Sequence, residues 1–224
     1  MTSAVVFDVN ETLLDLAALD PLFAEWFGRA SVRREWFAQT LHVAMTLAAT
    51  RAYRGFDEVG AAALAAVARQ YGIDLDGDAR ARLRETLHHL PPHRDVEPAL
   101  RLLREAGVTT AALTNNPLSV VREQMRHAGL RSLFDAVMSV EEAGALKPAP
   151  EVYRLAVDRL GLPPGSLWMV AAHGWDIAGA QRCGLRGAFV ARPGQEPDPF
   201  SPPEVVAADL VVAARAILAE HGLA

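Results

Sequence analysis

Apolar residues fall along this chain in two alternating patterns. Short unbroken runs, Ala4-Val5-Val6-Phe7, Val108 to Leu113, Ala136 to Val140, Leu167 to Ala172 and Gly187 to Ala191, give way to polar or turn residues. Such runs suit strands buried on both faces of a parallel sheet. Leu210 to Val212 offers a sixth, shorter run. Between the runs, Glu97 to Ala106, Leu118 to Ala128, Glu151 to Leu160 and Asp176 to Cys183 are helical stretches. Gly107, Gly129, Gly161 and Gly184 each stand just past the end of one, where a C-terminal cap belongs. Strand and helix in alternation predict a doubly wound α/β fold with a mainly parallel sheet.

One stretch breaks the alternation. From Leu16 to Leu90 no strand pattern stands out, and the segment is rich in Ala, Leu, Arg and Glu. Its helical patterning is plain over Ala61 to Tyr71 and Asp78 to Leu90. Gly28, Arg54-Gly55, Gly72 and Gly77 punctuate it into roughly four helices. Pro91-Pro92 closes it, because a proline disfavours helical geometry in the residue before it. The expected organisation is a core of residues 1–15 and 91–224, with a helical cap domain inserted over 16–90 as a lid on the sheet's carboxyl edge. Pro193 to Pro203 is a proline-rich loop, and no internal repeat is visible.

Composition narrows the function classes. A chain of 224 residues buries roughly 70–75% of its unfolded surface, enough for a core without disulfides. The single cysteine, Cys183, allows no intramolecular disulfide and reads as a small apolar helical residue. A net charge of -5 gives no electrostatic reason to bind nucleic acid or an anionic membrane, but leaves room for a small anionic substrate. Met1 to Phe7 lacks the features of a signal peptide, and no apolar run approaches the ~18 residues of a membrane span. A soluble cytoplasmic protein is expected.

Ligands of open α/β sheets bind outside the carboxyl ends of the strands. The polar residues following the strand runs are Asp8 through Thr12, Thr114-Asn115-Asn116, Lys147, and His173 through Asp176. An acid, amides, a lysine and a second acid would thus meet in one crevice. These segments resemble the four motifs of the haloacid dehalogenase superfamily, in order. Phe7-Asp8-Val9-Asn10-Glu11-Thr12-Leu13 is similar to the first motif, Thr114-Asn115 to the second, Lys147-Pro148 to the third and Trp175-Asp176-Ile177-Ala178-Gly179-Ala180 to the fourth. The Trp-Asp-x-x-Gly-Ala run looks most like the type II (L-2-haloacid) dehalogenase branch.

The resemblance implies a Rossmann-like core and a covalent mechanism without a cofactor. Asp8 would attack as a carboxylate nucleophile, Lys147 would keep it ionised, and Asp176 would activate water on the resulting ester. Thr12 would bond the nucleophile or its loop, while Thr114 and Asn115 would position substrate. Tyr153 resembles a tyrosine of the same branch, or is a core aromatic. Asn10, Phe37 and Trp175 complete the expected substrate pocket. The implied reaction turns a short 2-haloalkanoate into a 2-hydroxy acid, and a homodimer is implied by resemblance alone.

Two departures separate this chain from the magnesium phosphatases of the superfamily. Those place a second Asp where Asn10 stands, as general acid and base, and losing such a group costs about 10²–10⁴-fold. They also bind Mg²⁺ through an acidic pair whose first member aligns with Ala172. Carbon–halogen cleavage needs neither, since halide leaves without a proton. A phosphatase remains the alternative, with a non-catalytic binding protein as a third reading. The chain departs from the dehalogenases as well: Asn10 stands for a Tyr, His173 for an Asn, Ala171 and Ala172 for serines, and Phe37, after Trp36, for a cap arginine. Arg33, Arg34, Arg51 or Arg54 could supply the missing guanidinium. His173 either helps Asp176 activate water or is structural. His42 and the pair His88-His89 read as bland surface. Trp26, Phe27, Trp36 and Phe37 form an aromatic cluster that either packs the cap or walls the substrate.

Overall fold

The computed structural model describes residues 3–220 and 222; Met1 and Thr2, which head the segment read for a leader, lie outside them. Strand β1 (Ala4–Phe7), buried along its whole length, occupies the middle of the sheet. It pairs in parallel with β2 (Thr109–Thr114) on one side and β4 (Leu167–Ala171) on the other. β3 (Ala136–Ser139) lies beyond β2, and β5 (Arg186–Val190) and β6 (Val205–Ala207) beyond β4. The six-stranded order is β3-β2-β1-β4-β5-β6, parallel throughout. From β1 the chain winds outward to β3, then returns to β4 and winds the other way, so the winding direction reverses beside β1. That reversal opens a crevice at the carboxyl end of β1, the point where Asp8 follows Phe7.

Nine α-helices are present among the described residues. Five alternate with the strands: α5 (Val96–Glu105), α6 (Leu118–His127), α7 (Pro150–Leu160), α8 (Gly174–Arg182) and α9 (Leu210–Glu220). The predicted strand at Leu210 to Val212 is instead the first turn of α9. Asp209 caps it by accepting from Val212 N–H at 2.8 Å. The buried residues Leu210, Ala213, Ala214, Ile217 and Leu218 repeat at helical spacing. The last strand lies just upstream, where Val206 is exposed on the sheet edge. Gly107, Gly129, Gly161 and Gly184 all take left-handed φ after their helices, a conformation that an L side chain resists.

Between β1 and β2 a one-turn 3₁₀ segment (Leu16–Leu19) leads into α1 (Asp20–Phe27), α2 (Val32–Ala49), α3 (Phe56–Gln70) and α4 (Ala79–His88). Phe23 packs against Trp26, Phe27 and Trp36 at centroid distances of 5.4–5.7 Å, and Trp36 Nε1 donates to Gly60 O across α2 and α3 at 2.8 Å. Most of the predicted aromatic cluster is therefore the insertion's own core. The chain's exit to the insertion and its return run side by side. Asp15 N–H donates to Pro91 O and His93 N–H to Leu13 O, each at 2.9 Å. Among the described residues no helix is long and apolar enough to cross a membrane.

Candidate active site

Asp8 emerges from β1 into the crevice and is nearly buried. Its Oδ2 accepts from Thr12 Oγ1 at 2.8 Å and from His173 Nδ1 at 3.1 Å, while Oδ1 accepts from Lys147 Nζ at 3.1 Å. Thr12 is oriented in turn, since its Oγ1 accepts from Ala172 N–H at 2.9 Å. Lys147, wholly buried, also donates to Asp176 Oδ2 at 2.7 Å. Tyr153 donates to Asp176 Oδ1 at 2.7 Å. Gly179 makes this arrangement possible on α8: a Cβ there would stand 2.6 Å from the Tyr153 hydroxyl and 2.7 Å from Pro148 Cβ.

The two carboxylates are driven apart electrically. Burial alone would raise Asp8, but the Lys147 charge, His173 and the Thr12 bond outweigh it and hold the carboxyl well below the usual range. Burial also raises Asp176, and the charge on Asp8 adds to it, so that despite Lys147 its net shift is upward. Burial lowers Lys147, yet the Asp176 and Asp8 charges carry it above its ordinary value. Tyr153 is pushed far up, first by burial and then by Asp176, and stays a hydroxyl donor. One acid held ionised beside another biased toward its proton is an arrangement that divides nucleophile from acid–base work.

The sequence leaves two roles open for His173, helping Asp176 activate water or holding structure. The structure places it on Asp8: Nδ1 faces Asp8 Oδ2, and Nε2 lies 3.0 Å from Glu11 Oε2. Burial would lower it, but the bonds to Asp8 and Glu11 raise it to about 9. Glu11 is itself held, with Oε2 accepting from Gln195 at 2.8 Å and Oε1 facing Arg33 Nη1 at 3.4 Å. Arg33 Nε then meets Asp20 at 2.6 Å. Lys147, Asp8, His173, Glu11, Arg33 and Asp20 thus alternate in sign from the sheet into the insertion.

Above Asp8 lies a cavity of about 20 Å³, room for little more than one water. Its core side is formed by Asp8, Asn10, Thr114 and Asn115 with His173 and Trp175. Phe37, Leu41 and Phe56 close it from the insertion. Phe37 lies 5.8 Å from the His173 ring and Trp175 stacks on it at 5.3 Å. Asn115 Oδ1 accepts the Lys147 backbone N–H at 2.9 Å, which leaves its NH₂ as the group offered to the cavity. Trp175 Nε1 is buried without a partner among the described residues. Asn10 exchanges hydrogen bonds with Asn116, whose amide also donates to Gln124 at 3.0 Å. A second cavity of about 220 Å³ shares Asn10, Phe37 and Phe56 as its wall.

Of the residues expected to form the site, Asp8, Asn10, Phe37, Thr114, Asn115, His173 and Trp175 line the small cavity, and Thr12, Lys147, Tyr153 and Asp176 lie behind Asp8. None of Arg33, Arg34, Arg51 and Arg54 lines the small cavity; Arg33 is committed to Glu11 and Asp20. Sequence reasoning missed Leu41, Phe56, Gln195 and the role of Glu11. Only Glu11 carried a signal, as a member of the first motif with, in the structure, a left-handed φ of 62°. The donor set does not suit Mg²⁺, which wants oxygen ligands. Protonated nitrogens of Lys147 and His173 take the Asp8 oxygens, and Ala172 offers no carboxylate.

Residues 2–184 match the model of a family described as haloacid dehalogenase-like hydrolases. The (S)-2-haloacid dehalogenase of Pseudomonas sp. (strain YL) is 30% identical over 85% of this chain and 83% of its own. Haloacetate dehalogenase H-2 of Moraxella sp. (strain B) is 29% identical over 85% and 86%. The structure of L-2-haloacid dehalogenase from Xanthobacter autotrophicus superposes with a TM-score of 0.90 at 26% identity, covering 99% of both chains. A second structure of that enzyme, with chloropropionic acid covalently bound, gives 0.89 over 98% of this chain and 99% of its own.

Proposed function

We propose that this chain, which belongs to the haloacid dehalogenase-like hydrolases, is a hydrolytic dehalogenase of short 2-haloalkanoic acids. The observation that carries the reading is the Asp8–Lys147–Asp176 array: a buried, ionised carboxylate on a cavity floor, backed by one ammonium and a second acid. The covalent chloropropionic acid in a structural relative supports it.

Asp8 attacks the halogen-bearing carbon from the side opposite the halogen; a C–O bond forms, the C–halogen bond breaks, and halide leaves with the electron pair. Inversion at that carbon follows. Water then adds to the Asp8 ester carbonyl, giving its proton to Asp176, and the alkoxide leaves as the 2-hydroxy acid after taking a proton. The Asn115 amide and Trp175 Nε1 are the open donors for the substrate's carboxylate and the departing halide. Asn10 has no proton to give and spends its amide on Asn116 and Gln124, so phosphoryl transfer lacks its acid. The helices over 16–90 act as a cap, and because the cavity beside Asp8 is small, movement of that cap or of Phe37 widens it for substrate. A cytoplasmic homodimer accompanies the reading by family resemblance.

Halide release from L- and D-2-chloropropionate and from chloroacetate, measured with EDTA present, tests this. Release that persists in EDTA, favours the L substrate and disappears in Asp8→Asn is expected. No release from any of the three overturns the assignment.

A further inference from the structure

Building on Asp8 as the nucleophile, we infer that His173 and Thr12 form the oxyanion site of the second half-reaction, with Asp8 Oδ1 the attacking atom and Oδ2 the oxygen that takes the charge.

The two oxygens of Asp8 are unlike. Oδ2 accepts from Thr12 Oγ1 at 2.8 Å and His173 Nδ1 at 3.1 Å. Among the described residues Oδ1 accepts only from Lys147 Nζ, at 3.1 Å, and that ammonium is shared with Asp176 at 2.7 Å. Donors drain nucleophilicity from a carboxylate oxygen, so Oδ1 keeps the more available lone pair and becomes the ester oxygen. Oδ2 is then the ester carbonyl. When water adds to its carbon, the C=O electron pair moves onto Oδ2, where two donors already point. Donors set in advance around a developing oxyanion need no reorganisation, and losing one typically costs about 10²–10³-fold. Collapse of that intermediate re-forms the carbonyl and releases Oδ1 with the product carbon, the proton given up by water balancing the one the alkoxide takes.

The hydrogen bonds fix the form of His173. Asp8 faces one ring nitrogen and Glu11 the other. Ionised carboxylates only accept, so both nitrogens carry hydrogen and the ring is an imidazolium. A ring with no free lone pair cannot be the base for water; it can only donate. Thr12 is equally committed, because its oxygen accepts from Ala172 N–H at 2.9 Å and its proton goes to Oδ2. Glu11 is a positioning residue: Gln195 and Arg33 hold it, and it holds the second proton on His173. The charged groups around the ring are Asp8 and Glu11 directly, Lys147 through Asp8 and Arg33 through Glu11; the uncharged Phe37 and Trp175 rings flank it.

The test separates the two half-reactions with 2-chloropropionate. In His173→Ala, halide is expected in a burst of one equivalent per site, and the ratio of burst rate to steady rate should rise about 100-fold or more over the wild type. Mass spectrometry of the quenched variant should find protein heavier by the haloacid less hydrogen halide. A burst slowed as much as the steady rate, or an unchanged ratio, overturns the assignment. Glu11→Gln provides a check that keeps His173 in place. The alkaline limb of its steady rate should move from near pH 9 toward neutrality while the burst keeps its pH dependence, and an unmoved limb overturns the role. Wild type that releases no halide and forms no adduct would refute the dehalogenase reading itself, which is a different result from either variant failing.

Discussion

The two walls of the small cavity are built on opposite principles. On the sheet side nearly every polar atom near Asp8 is committed: Lys147 to two carboxylates, Thr12 to Asp8 and a backbone amide, His173 to Asp8 and Glu11. On the insertion side stand Phe37, Leu41 and Phe56, which offer shape and dryness but no hydrogen bond. Between them the charged row Glu11–Arg33–Asp20 and the Gln124 bond to Leu87 O at 2.8 Å join the halves by side-chain contacts. The contrast separates the two sides: the sheet side holds the charged groups, and the insertion supplies the apolar surface that faces them. A dry apolar wall strengthens the opposite one, because charges excluded from water interact more strongly.

The sharpest way to break this arrangement is Lys147→Met. It leaves Asp8 and Asp176 facing each other with no ammonium between them, and removing one partner of a buried ion pair costs about 3–5 kcal/mol. Urea unfolding should record that loss, and halide release should fall with it. A variant as stable as the wild type would mean that the cluster is far more hydrated than its burial implies.

Acidity provides the next test. His173 is held at about 9 in the folded protein against an ordinary value of 6.5. Between those values the folded chain binds a proton that the unfolded chain does not. Its contribution is therefore complete below pH 6.5 and is lost as pH rises through 9, about 3 kcal/mol at about 1.4 kcal/mol per unit. Urea midpoints taken across this window should fall in the wild type and stay flatter in His173→Gln. A parallel decline in both would place the sensitivity elsewhere.

Gly179→Ala reaches the same region through packing. Alanine is the better helix former, yet its Cβ would press on Tyr153 and Pro148 at contact distances below 3 Å. A net destabilisation of about 1–3 kcal/mol is expected, with activity reduced because Tyr153 is pushed off Asp176. A stabilised, fully active variant would show that this contact relaxes freely.

The same division governs what the amino-acid sequence discloses. Five strands pair where their apolar runs predict, since a strand buried on both faces advertises itself, and Asp8, Thr114 and His173 follow from those strand ends. α9 does not, because Leu210-Val211-Val212 is too short a run for its periodicity to separate strand from helix; the decisive spacing lies farther on, at Ala213, Ala214 and Ile217. The Asp8–Lys147–Asp176 group is legible through motif order. The state of His173 is not, since it depends on Glu11 from the β1 loop, Gln195 from the proline-rich loop and Arg33 from α2, which only the fold brings together. Leu41 and Phe56 are equally silent, as nothing distinguishes an apolar residue facing a cavity from one facing a helix.

The mildest change tests the insertion side alone. Phe37→Leu preserves apolar character at nearly the same size, so its cost to folding stays below about 1.5 kcal/mol. It touches none of the bonds around Asp8 but thins the wall between the cavity of about 20 Å³ and its neighbour of about 220 Å³. Loss of contact made equally in ground and transition states raises KM and leaves kcat alone. For 2-chloropropionate a KM rise of less than about tenfold is expected, since a few lost methylene contacts are worth about 1–3 kcal/mol at most. Longer 2-haloacids should gain relative to it, because the merged space accepts them. A fall in kcat instead would mean that Phe37, through its contact with the His173 ring, takes part in setting the charge on Asp8, and the two walls would not be independent.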